Sequence, residues 1–496
     1  MQYIGAIDQG TTSTRFIIFN SRGEIVSSDQ IEHRQIYPQP GWVEHDPQEI
    51  WRNTQAVIHG ALDKAGLEAG ALSAIGITNQ RETTLAFNPE TGKIYHNAIV
   101  WQDLRTTPVI ARLKERLGQD ELASRTGLRF SPYFSAGKII WLIENVSAVR
   151  EAVSRGEVVF GTMDCYLVWR LTGQVVTDVT NASRYMLMDI RSMDWDDDLL
   201  GLCGITRDCL PRIVPSIGEV YGHAEIDGAR IPVCGMLGDQ QAALFGQACF
   251  GAGMAKCTYG TGCFMLVNTG SRLCLSRNGL LSTVAYQKKG EDPVYAIEGS
   301  VAIAGSLVQW TRDSLKMVRD VHELDELAAS VEDSGGVYIV PAFSGLFAPH
   351  WRSDARGVIA GLTGYVNRAH ICRAVLEATA FQANDIFEAM KEDSGISLSV
   401  LKVDGGLTNS APLMAFQADI LGIPVIRPKI VETTALGAAY AAGLGTGIWQ
   451  NEENLAQYWK EQLRWTPGMD ESVRRQKISF WRKAVSRTLD WAEKED

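Results

Sequence analysis

The chain has 496 residues, 45% hydrophobic and 21% charged, an ordinary globular composition with material for two or three domains. Its 47 basic and 58 acidic side chains give a formal net charge of −11 at pH 7. No block of five or more basic residues occurs, which argues against a nucleic-acid-binding surface.

The N-terminus runs directly into the strand-like Tyr3–Ile7, with no charged leader and no long apolar segment, so no secretory signal is expected. Nine cysteines, an odd number, form no Cys-x-x-Cys pair and mostly sit in apolar runs. They read as reduced, buried thiols of a cytoplasmic protein. Short apolar runs at Ile4–Ile7, Phe16–Phe19, Ala74–Thr78, Val158–Gly161, Val337–Val340 and Leu401–Val403 are bounded by Gly, Pro or Asn. Amphipathic segments such as Pro47–Lys64, Thr107–Leu117 and Arg368–Lys391 lie between them, and the alternation predicts an α/β protein. The Ala- and Gly-rich stretch Ala435–Trp449 is too short to span a bilayer and reads as a helix packed closely on a sheet. The last amphipathic stretch, Ser472–Lys494, places Val473, Ile478, Trp481, Val485 and Leu489 near one helical face and is expected to dock on its own domain.

One pattern occurs twice. Ile4–Ile7, a Gly-Thr turn and Arg15–Phe19 read as a β-hairpin, and Met254–Tyr259, Gly260-Thr261-Gly262 and Cys263–Val267 repeat it. Small residues at such bends let backbone amides approach a phosphate. The echo predicts two duplicated domains, 1–247 and 248–496, facing a shared cleft. Taken alone, two tight hairpins without a ligand fit the spacing equally well.

In the first hairpin, Thr11, Thr12 and Ser13 offer hydroxyls and successive amides to phosphate oxygens, and Arg15 offers a fork of donors. Asp8, at a strand end, suits Mg²⁺ held directly or through water, or a turn closed by its own carboxylate. The Gly-Lys-Ser/Thr ending of a Walker loop is missing. Arg81-Glu82 follows the strand-like Ile75–Gln80, and such a pair binds the adjacent hydroxyls of a polyol or forms a salt bridge. Gly238-Asp239-Gln240-Gln241 follows the strand-like Val233–Leu237 and opens a helical run. Asp239 there is either an N-cap or the base that takes a proton from an attacking alcohol. Trp101, Tyr133 and Phe264 are candidate walls of an alcohol site, and Asp404-Gly405-Gly406 is a strand-to-helix turn open to an adenine nucleotide. No His-Glu-x-x-His or Gly-x-Ser-x-Gly pattern occurs.

In this order the pieces resemble the FGGY carbohydrate kinases of the sugar-kinase, actin and heat-shock-chaperone superfamily, most of all the members that phosphorylate glycerol. The resemblance covers roughly Tyr3 to Trp449. It is carried by Tyr133–Trp141, Gly357–Leu362 through His370 to Glu377, Gln39–Pro47, Thr78–Thr84, Gly238–Gly246 and Tyr259–Met265. It implies two ribonuclease-H-like (actin-like ATPase) domains flanking a deep cleft, closing over ATP·Mg²⁺ and glycerol. Asp239 would be the catalytic base, and with Asp8 a metal residue. Arg81, Glu82, Tyr133, Asp239 and Gln240 would bind the glycerol hydroxyls, with Trp101 and Phe264 against its carbons. Thr11, Thr12, Ser13 and Arg15 would handle the phosphates, and Thr261, Gly305, Gln309, Gly406 and Ser410 the rest of the nucleotide. A homo-oligomer, dimer or tetramer, is expected. Three departures stand out: Ser410 where many such kinases carry Asn, Phe347 and His350 where Gly and Tyr are usual, and a short Glu225–Arg230 connection. A kinase for another small polyol or ketose, or an actin-like ATPase without an alcohol acceptor, are the competing readings.

Overall fold

The computed structural model describes residues 2–343 and 345–492. The first large sheet contains β1 (Tyr3–Gln9), β2 (Ser13–Asn20), β3 (Ile25–Glu32), β4 (Leu72–Asn79), β5 (Gly222–Ile226) and β6 (Ala229–Gly238). Their order is β5-β6-β4-β1-β2-β3. β1, β2 and β3 form an antiparallel meander, while β1, β4 and β6 run parallel.

The second sheet contains β7 (Ala255–Tyr259), β8 (Cys263–Gly270), β9 (Leu281–Tyr286), β10 (Val294–Val301), β11 (Leu401–Asp404), β12 (Val425–Pro428) and β13 (Glu461–Trp465). Their order is β9-β10-β8-β7-β11-β12-β13. The plan repeats the first. A hairpin (β7, β8) has an antiparallel third strand on one flank (β10) and two parallel strands on the other (β11, β12). The sequence echo is thus a repeated sheet, in the manner of a ribonuclease-H-like pair. A parallel strand needs a crossover connection, which is why long helical segments separate β1, β4 and β6 while turns of two to four residues join β1 to β2, β2 to β3, β5 to β6 and β7 to β8.

Helix α1 (Pro47–Ala65) covers one face of the first sheet through Ile50, Val57, Ile58, Ala61 and Leu62. Asp46 caps its start by accepting from Gln48 N, and Gly66 ends it in the left-handed region at φ 63°. Helix α2 (Asp239–Gly246) leaves the end of β6, α3 (Gly305–Asp313) follows β10, and α4 (Arg368–Ser394) runs through the core of the second half. The predicted close-packed helix is α5 (Thr433–Gly445). It lies on the other face of the first sheet, against β1, β4 and β6, and alongside α2, although it belongs by sequence to the second half. Its small residues permit this approach. A methyl group on Gly437 would stand 1.9 Å from Ala242 O, and one on Gly246 1.9 Å from Thr433 O. Gly437→Ala therefore forces α2 and α5 apart, at about 1–3 kcal/mol of stability. Calorimetry should show a lowered melting temperature, and an unchanged one would mean that the helices separate freely.

Helix α6 (Glu471–Ser486) docks on its own domain as expected. Trp481 stacks on Phe381 of α4 with ring centres 5.2 Å apart, and Ile478, Val485 and Leu489 join the same core. Val473 is left exposed and the helix stops at Ser486, so the predicted face is shorter than the sequence suggested. Glu493 and Lys494 lie outside the described residues. Among the described residues, no helix is long and apolar enough to cross a membrane.

Candidate active site

In a sheet with parallel strands, ligands bind beyond the carboxyl ends of those strands. Here the ends of β1, β4 and β6 are level: Asp8 pairs with Thr78, and Asn79 with Gly238. Asp8, Arg81-Glu82 and Asp239 therefore leave one edge of one sheet. The matching edge of the second sheet, where Thr258 pairs with Asp404, carries the Gly260–Gly262 and Gly405–Gly406 turns. The two edges build a site from both halves of the chain.

The first hairpin turns through a bond from Gly10 N to Ser13 O of 2.9 Å. Thr12 is exposed. The Thr11 hydroxyl accepts from Trp101 Nε1 at 2.9 Å and the Ser13 hydroxyl from Gln30 Nε2 at 3.0 Å. A hydroxyl that accepts one bond still has its proton to donate, so both remain able to bond a phosphate oxygen. His33 Nε2 and Gln35 Nε2 bond the Thr11 carbonyl, which stiffens the turn. Arg15 pairs with Glu432, immediately before α5, so this cation is partly committed to the joint between the halves. Asp8 lies across the hairpin from Arg15. Burial pushes its carboxyl up to about 6, opposed by Arg15 and reinforced by Glu432 and Asp239. A carboxyl raised on folding penalises the folded state once pH exceeds its unfolded value near 3.8. Asp8→Asn should therefore melt above the parent chain at pH 7.5, with the gap closing as pH falls from about 6 toward 4. An identical gap at every pH would remove Asp8 ionisation as its cause.

Arg81 and Glu82 are 2% and 1% exposed, so they are not a surface ion pair. Arg81 grips Glu298 of β10 with two bonds, of 2.5 and 2.9 Å, and places Nε 3.2 Å from Asp239. Its remaining Nη contacts are Gln241 Oε1 at 3.2 Å and the Tyr133 hydroxyl at 3.4 Å. Arg184 joins Glu82 at 2.5 Å and Glu298 at 3.2 Å. Two arginines and two glutamates thus form a buried network across the halves. Glu82 holds a non-glycine φ of 59°, which turns its side chain into this network. Burial works against both carboxylates. It wins at Glu82, whose carboxyl is raised, whereas Arg184 and Arg81 pull Glu298 down to about 2. For Tyr133, burial raises the phenol above its usual range, so it stays a neutral donor.

Asp239 is the first residue of α2 rather than its cap: Gly238 takes the cap position, and Asp239 Oδ1 accepts from Gln240 N at 2.7 Å. Its side chain is 31% exposed, while Arg81 and Glu298 beside it are closed off. Trp101 packs edge-on against Tyr133 at 5.5 Å and against Phe264 of β8 at 6.4 Å. The three predicted aromatics do converge, with contributions from both halves.

Glycines make up the other wall. Gly305 N donates to Gly260 O at 3.1 Å, and a methyl group on Gly305 would sit 2.6 Å from that same oxygen. Gly405 has φ 90° and backs onto Tyr259 O, whereas Gly406 faces open space. Thr261 and Gln309 are exposed on the same wall. Ser410 is different. It is 3% exposed, donates to Asp325 Oδ1 at 2.6 Å and caps the next helix by accepting from Leu413 N, so its hydroxyl is turned inward. At the Phe347 departure no left-handed backbone is needed, because Gly345 and Trp351 take the positive φ values of that turn. His350 pairs there with Asp385 at 3.3 Å.

Sequence reading missed Glu298, Arg184 and Lys256. Each is a charged residue in an otherwise apolar or neutral stretch, the one signal that could have singled them out. Lys256 of β7 is fully buried and donates to Gln240 Oε1 at 2.5 Å and Thr258 Oγ1 at 2.8 Å.

Residues 3–246 match the N-terminal domain, and 255–446 the C-terminal domain, of the FGGY family of carbohydrate kinases. Among curated proteins, a glycerol kinase of Chloroflexus aurantiacus is 56% identical, covering 99% of this chain and 100% of its own. Glycerol kinase 2 of Streptomyces avermitilis is 54% identical, covering 100% and 98%. Among solved structures, Plasmodium falciparum glycerol kinase with ADP superposes with a TM-score of 0.93 at 40% identity, covering 99% and 98%. With the doubled sheet, the shared cleft edge and these full-length matches, the chain belongs to the FGGY family of carbohydrate kinases.

Proposed function

We propose that the chain transfers the γ-phosphoryl group of ATP to a terminal hydroxyl of glycerol, giving sn-glycerol 3-phosphate and ADP, with Asp239 as the base. Glycerol kinase activity rests on full-length relatives of that name at 54–56% identity. The observation that carries the mechanism is the Asp239 carboxylate, 31% exposed at a helix start and held by Arg81 Nε. The new bond joins the alcohol oxygen to phosphorus as the bond from the γ-phosphorus to the bridging oxygen of ADP breaks, and the alcohol proton passes to Asp239. A loose transition state needs that proton removed late, so a weak base suffices if it holds the hydroxyl in line. Tyr133, Gln240 and the Arg81-Glu82 pair supply hydrogen bonds to the remaining hydroxyls, and Trp101 and Phe264 cover the carbons. Thr11, Thr12, Ser13 and Arg15 meet the phosphates. Thr261, Gly305, Gln309 and Gly406 receive the nucleotide, with Ser410 supporting that wall from behind.

Mg²⁺ is part of the proposal. Among the described residues, no group of three or more His, Cys, Asp or Glu side chains forms a metal cage. The two carboxylates Asp8 and Asp239 fit Mg²⁺ nonetheless, since this ion keeps water and takes phosphate oxygens alongside one or two carboxylates. When bound, it offsets charge on the β- and γ-phosphates. A homo-oligomer with sequence domains 1–247 and 248–496 completes the reading, and a cytoplasmic location is part of it, supported by nine free, buried cysteines.

Coupled ADP release with ATP·Mg²⁺ tests it against no acceptor, glycerol, dihydroxyacetone, erythritol, xylulose and gluconate. Glycerol should exceed every other acceptor. Preference for another polyol would overturn the pocket, and release indifferent to acceptor would point to an ATPase.

A further inference from the structure

A buried lysine reaches across the cleft. Lys256, on the first strand of the second sheet, is 0% exposed, yet its ammonium bonds Gln240, the second residue of α2 in the first half. Thr258 Oγ1 is its other acceptor; burial draws the lysine below its usual range, and the charges of Asp404, Asp239 and Glu298 work in the other direction. An ammonium has three protons to donate and nothing with which to accept. The side-chain amide of Gln240 must therefore turn its oxygen to Lys256. Its Nε2 is then turned away from Lys256, and it has no protein partner among the described residues and is not a buried orphan. Without the ammonium, a terminal amide rotates readily and presents either end to the cleft.

We propose that Lys256 is a positioning residue for the acceptor: it fixes the Gln240 amide so that Nε2 donates to an oxygen of the bound alcohol. The inference rests on the glycerol reading above and deepens it. It gives one edge of the pocket a fixed polarity. At this point the acceptor must present a hydrogen-bond-accepting oxygen, and an analogue bearing a methyl or an ammonium there is rejected. Because β7 also leads into the Gly260–Gly262 turn, the residue that orients the acceptor contact stands on the strand that carries the nucleotide wall.

A double-mutant cycle separates this role from a structural one. Lys256→Met, Gln240→Ala and the double variant are compared with the parent chain for glycerol KM, kcat and ATP KM. Each single change should raise glycerol KM on the order of tenfold with ATP KM unchanged, as for one lost hydrogen bond to a substrate. The double variant should be no worse than Gln240→Ala alone, since Lys256 acts through that amide. Additive losses, or a loss shared with ATP KM, would overturn the proposal. Should Lys256→Met fail to fold, Gln240→Glu serves instead. It keeps an acceptor for the lysine but has no Nε2 donor, so glycerol KM should rise as in Gln240→Ala, and a parental KM would refute the fixed donor. If the parent chain itself does not turn over glycerol, the glycerol reading has failed, a result distinct from any outcome of the cycle.

Discussion

Asp239→Asn lowers glycerol-dependent ADP release on the order of 1,000-fold, the usual contribution of a positioned general base, while nucleotide affinity stays at the parental level. The change is nearly isosteric. An Asn oxygen can still accept from Gln240 N, as Asp239 Oδ1 does at 2.7 Å, so the start of α2 is preserved. What is lost is the proton acceptor, the charge that faces Arg81 Nε at 3.2 Å and one of the two carboxylates proposed for Mg²⁺. Single-turnover rates with glycerol and equilibrium binding of ADP together decide the matter. Loss of turnover with intact ADP binding identifies the base. Parallel loss of both would make Asp239 a structural residue of the cleft.

The second large effect lies at Glu298. Glu298→Ala removes the carboxylate that Arg81 and Arg184 share, and all three side chains are sealed from water. Breaking a buried pair leaves charge uncompensated and costs about 3–5 kcal/mol. Arg184 is the more vulnerable, since its Nη1 already lacks a partner among the described residues. A clear fall in melting temperature is expected, together with a raised glycerol KM as Arg81 swings out of register. Exchanging Arg184 and Glu298 together for Met should recover part of the stability but not the KM, because replacing a whole buried pair by apolar side chains is far less costly than halving it. A Glu298→Ala chain as stable as the parent would show that water enters this network.

Much of the molecule was legible in sequence because its elements follow local rules. The strands around Ile4, Phe16, Ile75 and Leu401 are short, apolar and bounded by turn formers, and the long helices carry the expected periodicity. Chemistry-bearing residues at strand ends, such as Asp8, Arg81 and Asp239, were found because a charge there breaks an apolar run. Pairings between distant segments were not readable. Nothing in Val294–Val301 says that Glu298 meets Arg81, more than two hundred residues earlier, and nothing near Ser410 says that its hydroxyl turns to Asp325. Asp239 reads as a possible cap in sequence because helix starts are uncertain by a residue or two, and here the start falls on Asp239 itself.

The placement of α5 has a consequence for how the chain is made. The face of β1, β4 and β6 opposite α1 is covered by a helix that ends at Gly445. On the ribosome, that face stays bare while most of the second half is translated, and Ile4, Ala74 and Leu237 wait for Ala435, Ala438 and Ala439 to arrive. The N-terminal half therefore cannot mature first and serve as a finished template for the rest. Such a chain closes late and through distant contacts, which makes its assembly slow and exposes it to aggregation until synthesis is nearly complete.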